Sequence, residues 1–324
     1  MIKFFFIILI IFSSCSLEKK SFFQDKTITE NKELNLKKVD NKKIIKEDFN
    51  KDLKINLSKI IKNNKFKKSK NNYGREAFKN DLNNLSKYKI KKIKNFSNFE
   101  PSLVFDTNGL IFFEKKGTLI KYDYSKELIW KKNFYTKKEK KSDILLNIVS
   151  NDYILIITDN LAKYYAVNQQ NGELLWRKTN LTPFNSQIKI YKDKFYIVDY
   201  ENILHCFSIK NGNKVWSYQT DNFFVKSKKK LSIIVENDVL IFNNSIGDIT
   251  ALDANKGFLL WQTPTQNNLI YADSASLITS DLVLDKNSIF FSNNRNEFYS
   301  INAENGFLNW KQNINSIIRP IITE

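Results

Sequence analysis

The 324-residue chain has five tryptophans, and all five close the same short pattern. AVNQQNGELLW (166–176), CFSIKNGNKVW (206–216), ALDANKGFLLW (251–261) and SINAENGFLNW (300–310) each carry a small residue first, a short polar residue third, Gly seventh and Trp eleventh. A weaker copy, KYDYSKELIW (121–130), lacks the Gly and is one residue shorter. Trp130, Trp176, Trp216, Trp261 and Trp310 lie 46, 40, 45 and 49 residues apart. Such a recurrence is a structural period.

The pattern reads as a strand, a tight turn and a second strand. Asp, Asn or Ser at the third position can hydrogen-bond the turning backbone, as Asp253 would. Gly172, Gly212, Gly257 and Gly306 supply the positive φ of the turn. A large flat indole needs a small neighbour. Ala166, Cys206, Ala251 and Ser300 provide one for Trp176, Trp216, Trp261 and Trp310. Cys206 therefore reads as an alanine-like packing position rather than a reactive thiol. Upstream of each unit lie two more apolar runs of strand length, such as SQIKIY and DKFYIVDY. Four short strands in roughly 45 residues make a propeller blade. One four-stranded sheet cannot bury both faces, so the blades must pack on one another as one domain. The expected fold is all-β, a β-propeller of four-stranded blades over 100–324. The blades fall near 100–135, 143–180, 186–220, 231–264 and 276–313, with the start of a sixth at 314–324.

The first residues, MIKFFFIILIIFSSCSLEKK, hold an apolar run from Phe4 to Phe12, too short for a spanning helix. It fits the core of a secretory signal over 1–14. FSSC resembles a bacterial lipobox, which makes Cys15 the expected lipidated N-terminus. Ser16 stands where lipoproteins retained at the inner membrane tend to carry Asp, which points to the periplasmic face of the outer membrane. Residues 15–75, rich in Lys and Asn, read as a flexible tether. Residues 76–99 read as a helix (76–88) and a strand (88–96). With Cys15 lipidated, Cys206 has no partner for a disulfide.

The net charge is +18, from 52 Lys and Arg against 34 Asp and Glu. The lysines are interspersed with Asn and Ile, and none of the runs interleaves stacking aromatics. Biased composition explains the charge better than a nucleic-acid site. The single His, His205, excludes histidine metal clusters. Asp106, Asp123 and Asp253 read as turn residues rather than metal ligands. No metal site, bound cofactor or catalytic residue is expected.

The repeated pattern resembles the tryptophan-docking motif of PQQ-type β-propellers. Together with the lipobox it resembles the BamB family, lipoproteins of the outer-membrane β-barrel assembly (Bam) machinery. The resemblance covers about 100–324. It implies a non-catalytic scaffold with eight blades at full length, so the chain reads as lacking its C-terminal blades. It also implies binding to the periplasmic POTRA domains of the barrel-inserting subunit BamA, through propeller loops. The longest inter-blade segment, 262–284, carries Leu269, Ile270, Tyr271, Asp273 and Leu277. These residues either meet a partner or tuck into the next blade. Two alternatives stand beside this reading. One is a PQQ-dependent quinoprotein dehydrogenase, which uses the same blade. Such enzymes often carry an adjacent cysteine pair and extra loops over the ring, and this chain has neither. The other is a cell-envelope binding propeller with a different partner.

Overall fold

A computed structural model describes residues 72, 103–105, 108–151, 153–220, 226–227, 229–265 and 277–322. Cys15, the signal segment, the 76–99 segment, Asp106 and the loop residues Leu269, Ile270, Tyr271 and Asp273 lie outside them. The described residues form five four-stranded antiparallel sheets, each a simple meander. The first holds β1 (Val104–Phe105), β2 (Gly109–Glu114), β3 (Thr118–Asp123) and β4 (Leu128–Lys132). The second holds β5 (Leu146–Ser150), β6 (Ile154–Asp159), β7 (Lys163–Asn168) and β8 (Leu174–Thr179). The third holds β9 (Lys189–Tyr191), β10 (Lys194–Val198), β11 (Ile203–Ser208) and β12 (Lys214–Gln219). The fourth holds β13 (Ile233–Glu236), β14 (Val239–Asn243), β15 (Ile249–Asp253) and β16 (Leu259–Thr263). The fifth holds β17 (Val283–Asp285), β18 (Ser288–Asn293), β19 (Glu297–Asn302) and β20 (Leu308–Gln312).

Position within a blade sets the residue pattern. The second strands, GLIFFE, ILIITD, KFYIV, VLIFN and SIFFSN, are nearly continuous apolar runs and are mostly buried on both faces. The fourth strands are half polar and largely exposed. That gradient is what a sheet packed between two others shows when one edge faces water. First strands of successive blades neighbour one another: β1 with β5, β5 with β9, and β9 with β13. The first strand is therefore the inner edge and the fourth the outer edge.

Four apolar clusters join the blades in sequence order. Phe113, Leu119, Leu146 and Tyr165 belong to the cluster between blades 1 and 2. Ile156, Ala166, Phe195 and Phe207 join blades 2 and 3. Tyr196, Cys206, Leu240 and Leu252 join blades 3 and 4. Ile241, Ala251, Leu284 and Phe291 join blades 4 and 5. Each fully buried side chain of this size stabilises the fold by about 1.5–3 kcal/mol. Among the described residues no such cluster joins blade 5 to blade 1. Residues 314–322 make one parallel bridge, Asn293 to Asn315, rather than a strand.

Candidate functional site

The tryptophan motif shapes both the ends and the faces of the blades. Within each blade the indole stands across the ladder from the first motif position. The pairs are Ala166 with Trp176, Cys206 with Trp216, Ala251 with Trp261, and Ser300 with Trp310. Directly beside each pair the register slips by one residue. Blade 1 shows the same slip next to Lys121 and Trp130. A bulge of this kind bends the strand and re-aims a side chain.

The ring then lies on the turn of the following blade. A Cβ added at Gly172 would stand 2.8 Å from the Trp130 ring. At Gly212 it would stand 2.6 Å from Trp176, at Gly257 2.6 Å from Trp216, and at Gly306 2.5 Å from Trp261. Each indole N–H donates to a carbonyl of that turn: Trp130 to Gln169 at 3.2 Å, Trp176 to Ile209 at 2.8 Å, Trp216 to Asn255 at 3.0 Å, and Trp261 to Ala303 at 3.1 Å. The glycines thus serve two ends, a positive φ of 68–77° and close approach of an indole. The sequence reading assigned them the turn alone. The second role leaves a signal: the first repeat lacks the glycine, and no tryptophan precedes it. Lys126 takes the positive φ there instead, at 71°.

The rings are not uniformly buried. Trp130 is buried, while Trp176, Trp216 and Trp261 are half-buried, although all four stand on the outermost strand of their blades. Trp310 is 39% exposed. Its ring meets Phe290 and Phe298 of its own blade, at 5.9 and 5.3 Å between centroids. Blade 1 breaks the small-residue rule, with Lys121 in the first position. Its buried stem packs beside Trp130, and its ammonium donates to the same Gln169 carbonyl at 3.2 Å.

Asn72, which the sequence places in the tether, is buried against the inner strands. Its amide nitrogen donates to Gln187 Oε1 and Ser232 Oγ, both at 3.0 Å, and to the Leu282 carbonyl at 2.9 Å. Its side-chain oxygen accepts from Lys189 Nζ. Burial, with Arg319 nearby, pushes the Lys189 ammonium down to about 7. Inner-edge backbone groups left without a ladder need such partners, and one carboxamide serves three blades.

The remaining singled-out residues have local roles. Asp123 Oδ1 accepts the Glu127 N–H at 2.7 Å, and Asp253 Oδ1 accepts those of Asn255 and Lys256 at 2.9 and 2.7 Å. Burial raises the Cys206 thiol to about 12, which leaves it protonated and unreactive. His205 Nε2 lies 2.8 Å from Asp199 Oδ2, with Phe207 stacked on the ring and Phe184 at its edge. Burial favours the neutral Asp199 acid, but His205 and the turn N–H groups hold its carboxyl below the usual range. The pair is walled by aromatic rings and closes a turn. Leu277 is 3% exposed and lies over Gly247, so this one described member of the candidate partner loop tucks inward. Among the described residues no group of three or more His, Cys, Asp and Glu could hold a metal ion.

Comparison with known proteins places this geometry. The profile of the family described as outer membrane protein assembly factor BamB matches residues 102–324. The comparison with curated proteins gave no match. Among solved structures the chain is similar to BamB from Moraxella catarrhalis, with TM-score 0.55 and 14% identity over 67% of this chain and 65% of that one. It is also similar to the computationally designed Ika8 protein, with TM-score 0.53 and 11% identity over 67% of this chain and 63% of that one. Quinohemoprotein alcohol dehydrogenase from Comamonas testosteroni follows, with TM-score 0.52 and 11% identity over 65% of this chain and 42% of that one. The chain thus spans less than two thirds of the length of each of these structures. At such identities the likeness shows the fold, a β-propeller. With more than half of its residues matched by the profile, the chain belongs to the family of outer membrane protein assembly factor BamB.

Proposed function

We propose that this protein is a non-catalytic scaffold lipoprotein of the outer-membrane β-barrel assembly machinery. In this reading Cys15 carries the lipid at the periplasmic face of the outer membrane. The propeller binds the POTRA region of a BamA-like barrel protein through its blade-end loops. The family match over 102–324 is the observation that carries it. The surface agrees with a docking role. The eighth motif position puts Phe258 and Phe307 on the turns of adjacent blades, 66% and 73% exposed. Large aromatics left in water on neighbouring turns are the sort of anchors that interfaces use.

The dehydrogenase alternative finds less support. Blades shared with an alcohol dehydrogenase speak to fold alone. Asn72 bonds to the inner edges of blades 3, 4 and 5, and the described residues offer no carboxylate set for a cation. Among the described residues nothing fits the Ca²⁺ that accompanies PQQ in such enzymes. The test is affinity purification of the tagged chain from solubilised outer membranes. Recovery of a BamA-like barrel protein is expected, and Phe258→Asp with Phe307→Asp should reduce it. Purification without any such protein would overturn the proposal.

A further inference from the structure

One end of blade 1 differs from its counterparts. In the other four blades the turn from second to third strand opens on Asp159, Asp199, Asn244 or Asn293. Each of these accepts backbone N–H groups of its own turn. Blade 1 has a short 3-10 turn there, Lys115–Gly117, which presents two lysines. The connection from blade 1 to blade 2, YTKKEKKSD (135–143), crosses beside it with a second 3-10 turn, Glu139–Lys141. Between them lies an open surface hollow of about 340 Å³ lined by Lys115, Lys116, Lys137, Lys140, Lys141 and Asp143. An adjoining open hollow of the same volume adds Lys131 and Lys132.

Two features make this more than a scatter of lysines in a lysine-rich chain. The first is that its walls are pinned. Asn133 Nδ2 donates to the Lys116 carbonyl at 2.9 Å and to Thr118 Oγ1 at 2.8 Å, which ties one turn to the other segment. Gly117 lies against the buried Tyr135 ring, and Tyr135 donates its hydroxyl to Asp159 at 2.6 Å. The second feature is the use of the acids. Glu139, inside the lysine run, is drawn off by Lys163 and by the Thr136 N–H at 2.8 Å. Glu114 is engaged by Lys131 at 2.8 Å. Asp143 is the one carboxylate lining the two hollows. Lys115, Lys116, Lys137 and Lys141 are left exposed to solvent.

We propose that this lysine basin binds the phosphate of an anionic phospholipid headgroup at the membrane surface. Lysine is a compact point charge on a flexible stem, suited to phosphate without a fixed fork geometry. Clustered lysines beside an anionic leaflet attract it within a Debye length. Nucleic acid fits less well, because the aromatics at the basin, Phe134 and Tyr135, are half-buried and buried and offer no stacking platform. The inference rests on the proposed membrane location but not on the barrel-assembly partner.

The test is co-sedimentation of the full chain, carrying Cys15→Ser so that no lipid on the protein can report. The vesicles are phosphatidylcholine alone or with about one third phosphatidylglycerol, a content that gives a strongly anionic surface. The basin variant is Lys115→Gln, Lys140→Gln, Lys141→Gln; Lys116 is left intact because its φ is 65°. The control is Lys210→Gln, Lys214→Gln, Lys256→Gln, three exposed lysines on other blades with the same change of charge. Binding confined to phosphatidylglycerol vesicles, at least tenfold weaker in the basin variant and within twofold of the parent in the control, is expected. Equal loss in both variants would overturn the proposal, since net charge alone would then act. Binding of millimolar inorganic phosphate by the parent and not by the basin variant, with no binding of either to vesicles, would overturn the lipid as ligand. So would retention on an acidic peptide with none on vesicles. Loss of the barrel partner with vesicle binding intact would sink the scaffold reading and leave the basin standing.

Discussion

At the scale of single residues, the glycine and tryptophan of neighbouring repeats act as one unit. Gly212→Ala would place a methyl 2.6 Å from the Trp176 ring at a φ of 68°. Left-handed strain and overpacking each cost about 1–3 kcal/mol, so a loss of about 2–4 kcal/mol in urea unfolding is expected. Trp216→Ala removes a half-buried ring and its bond to Asn255, for an expected loss of about 2–4 kcal/mol. Trp310→Ala, with no following turn on its ring among the described residues, should cost less than about 1 kcal/mol in the same assay. Equal losses at Trp216 and Trp310 would contradict inter-blade docking as the source of the stability. Glu139 titrates separately. Its hydrogen bond with Lys163, then the Thr136 N–H, lowers it to about 2. Its unfolded value is about 4.3. A depressed carboxylate stabilises above the unfolded value and loses that contribution as pH falls through the folded one. The stability gap between the parent and Glu139→Gln should therefore be full at pH 6 and shrink between roughly pH 4.3 and 2. A gap that stays constant over that range in pH-dependent denaturation would show that the pair contributes nothing.

At the scale of the blade, much was legible because the sequence repeats the same chemistry. The third-position acid or amide, the glycine and the apolar second strand each have one cause, and that cause recurs. Asp253→Ala should cost about 1 kcal/mol, since two turn N–H groups lose their acceptor. Thermal unfolding of that variant checks it. Less legible was the bulge beside each tryptophan, because one extra residue leaves the apolar pattern almost unchanged. Leu175, Val215 and Leu260 sit at these bulges and are about half exposed, although a simple alternation would bury some of them. The lysine basin was hidden for another reason. Lys115 and Lys140 are distant in sequence, and in a chain with 52 Lys and Arg neither stretch stands out. Only the crossing of two short turns brings them together.

At the scale of the whole array, each blade is stabilised by its neighbours, as in a quasi-one-dimensional stack. Amide exchange should accordingly be slowest in the inner strands of blades 2–4, which have apolar clusters on both sides, and faster in blade 5. Asn72 adds a link the repeat does not contain, since its carboxamide bonds across blades 3, 4 and 5 at their inner edges. A lone asparagine in a Lys- and Asn-rich segment gives no warning of that role. The scaffold reading makes one demand above the others, which is a saturable partner surface and no turnover. Calorimetric titration of the purified chain with the POTRA region of the barrel-inserting subunit from the same cells tests it most directly. A single saturable transition, weakened by Phe258→Asp with Phe307→Asp and unchanged by added PQQ and Ca²⁺, is the result expected. No heat of binding to that region, together with dye reduction that appears on adding PQQ and Ca²⁺, would contradict it.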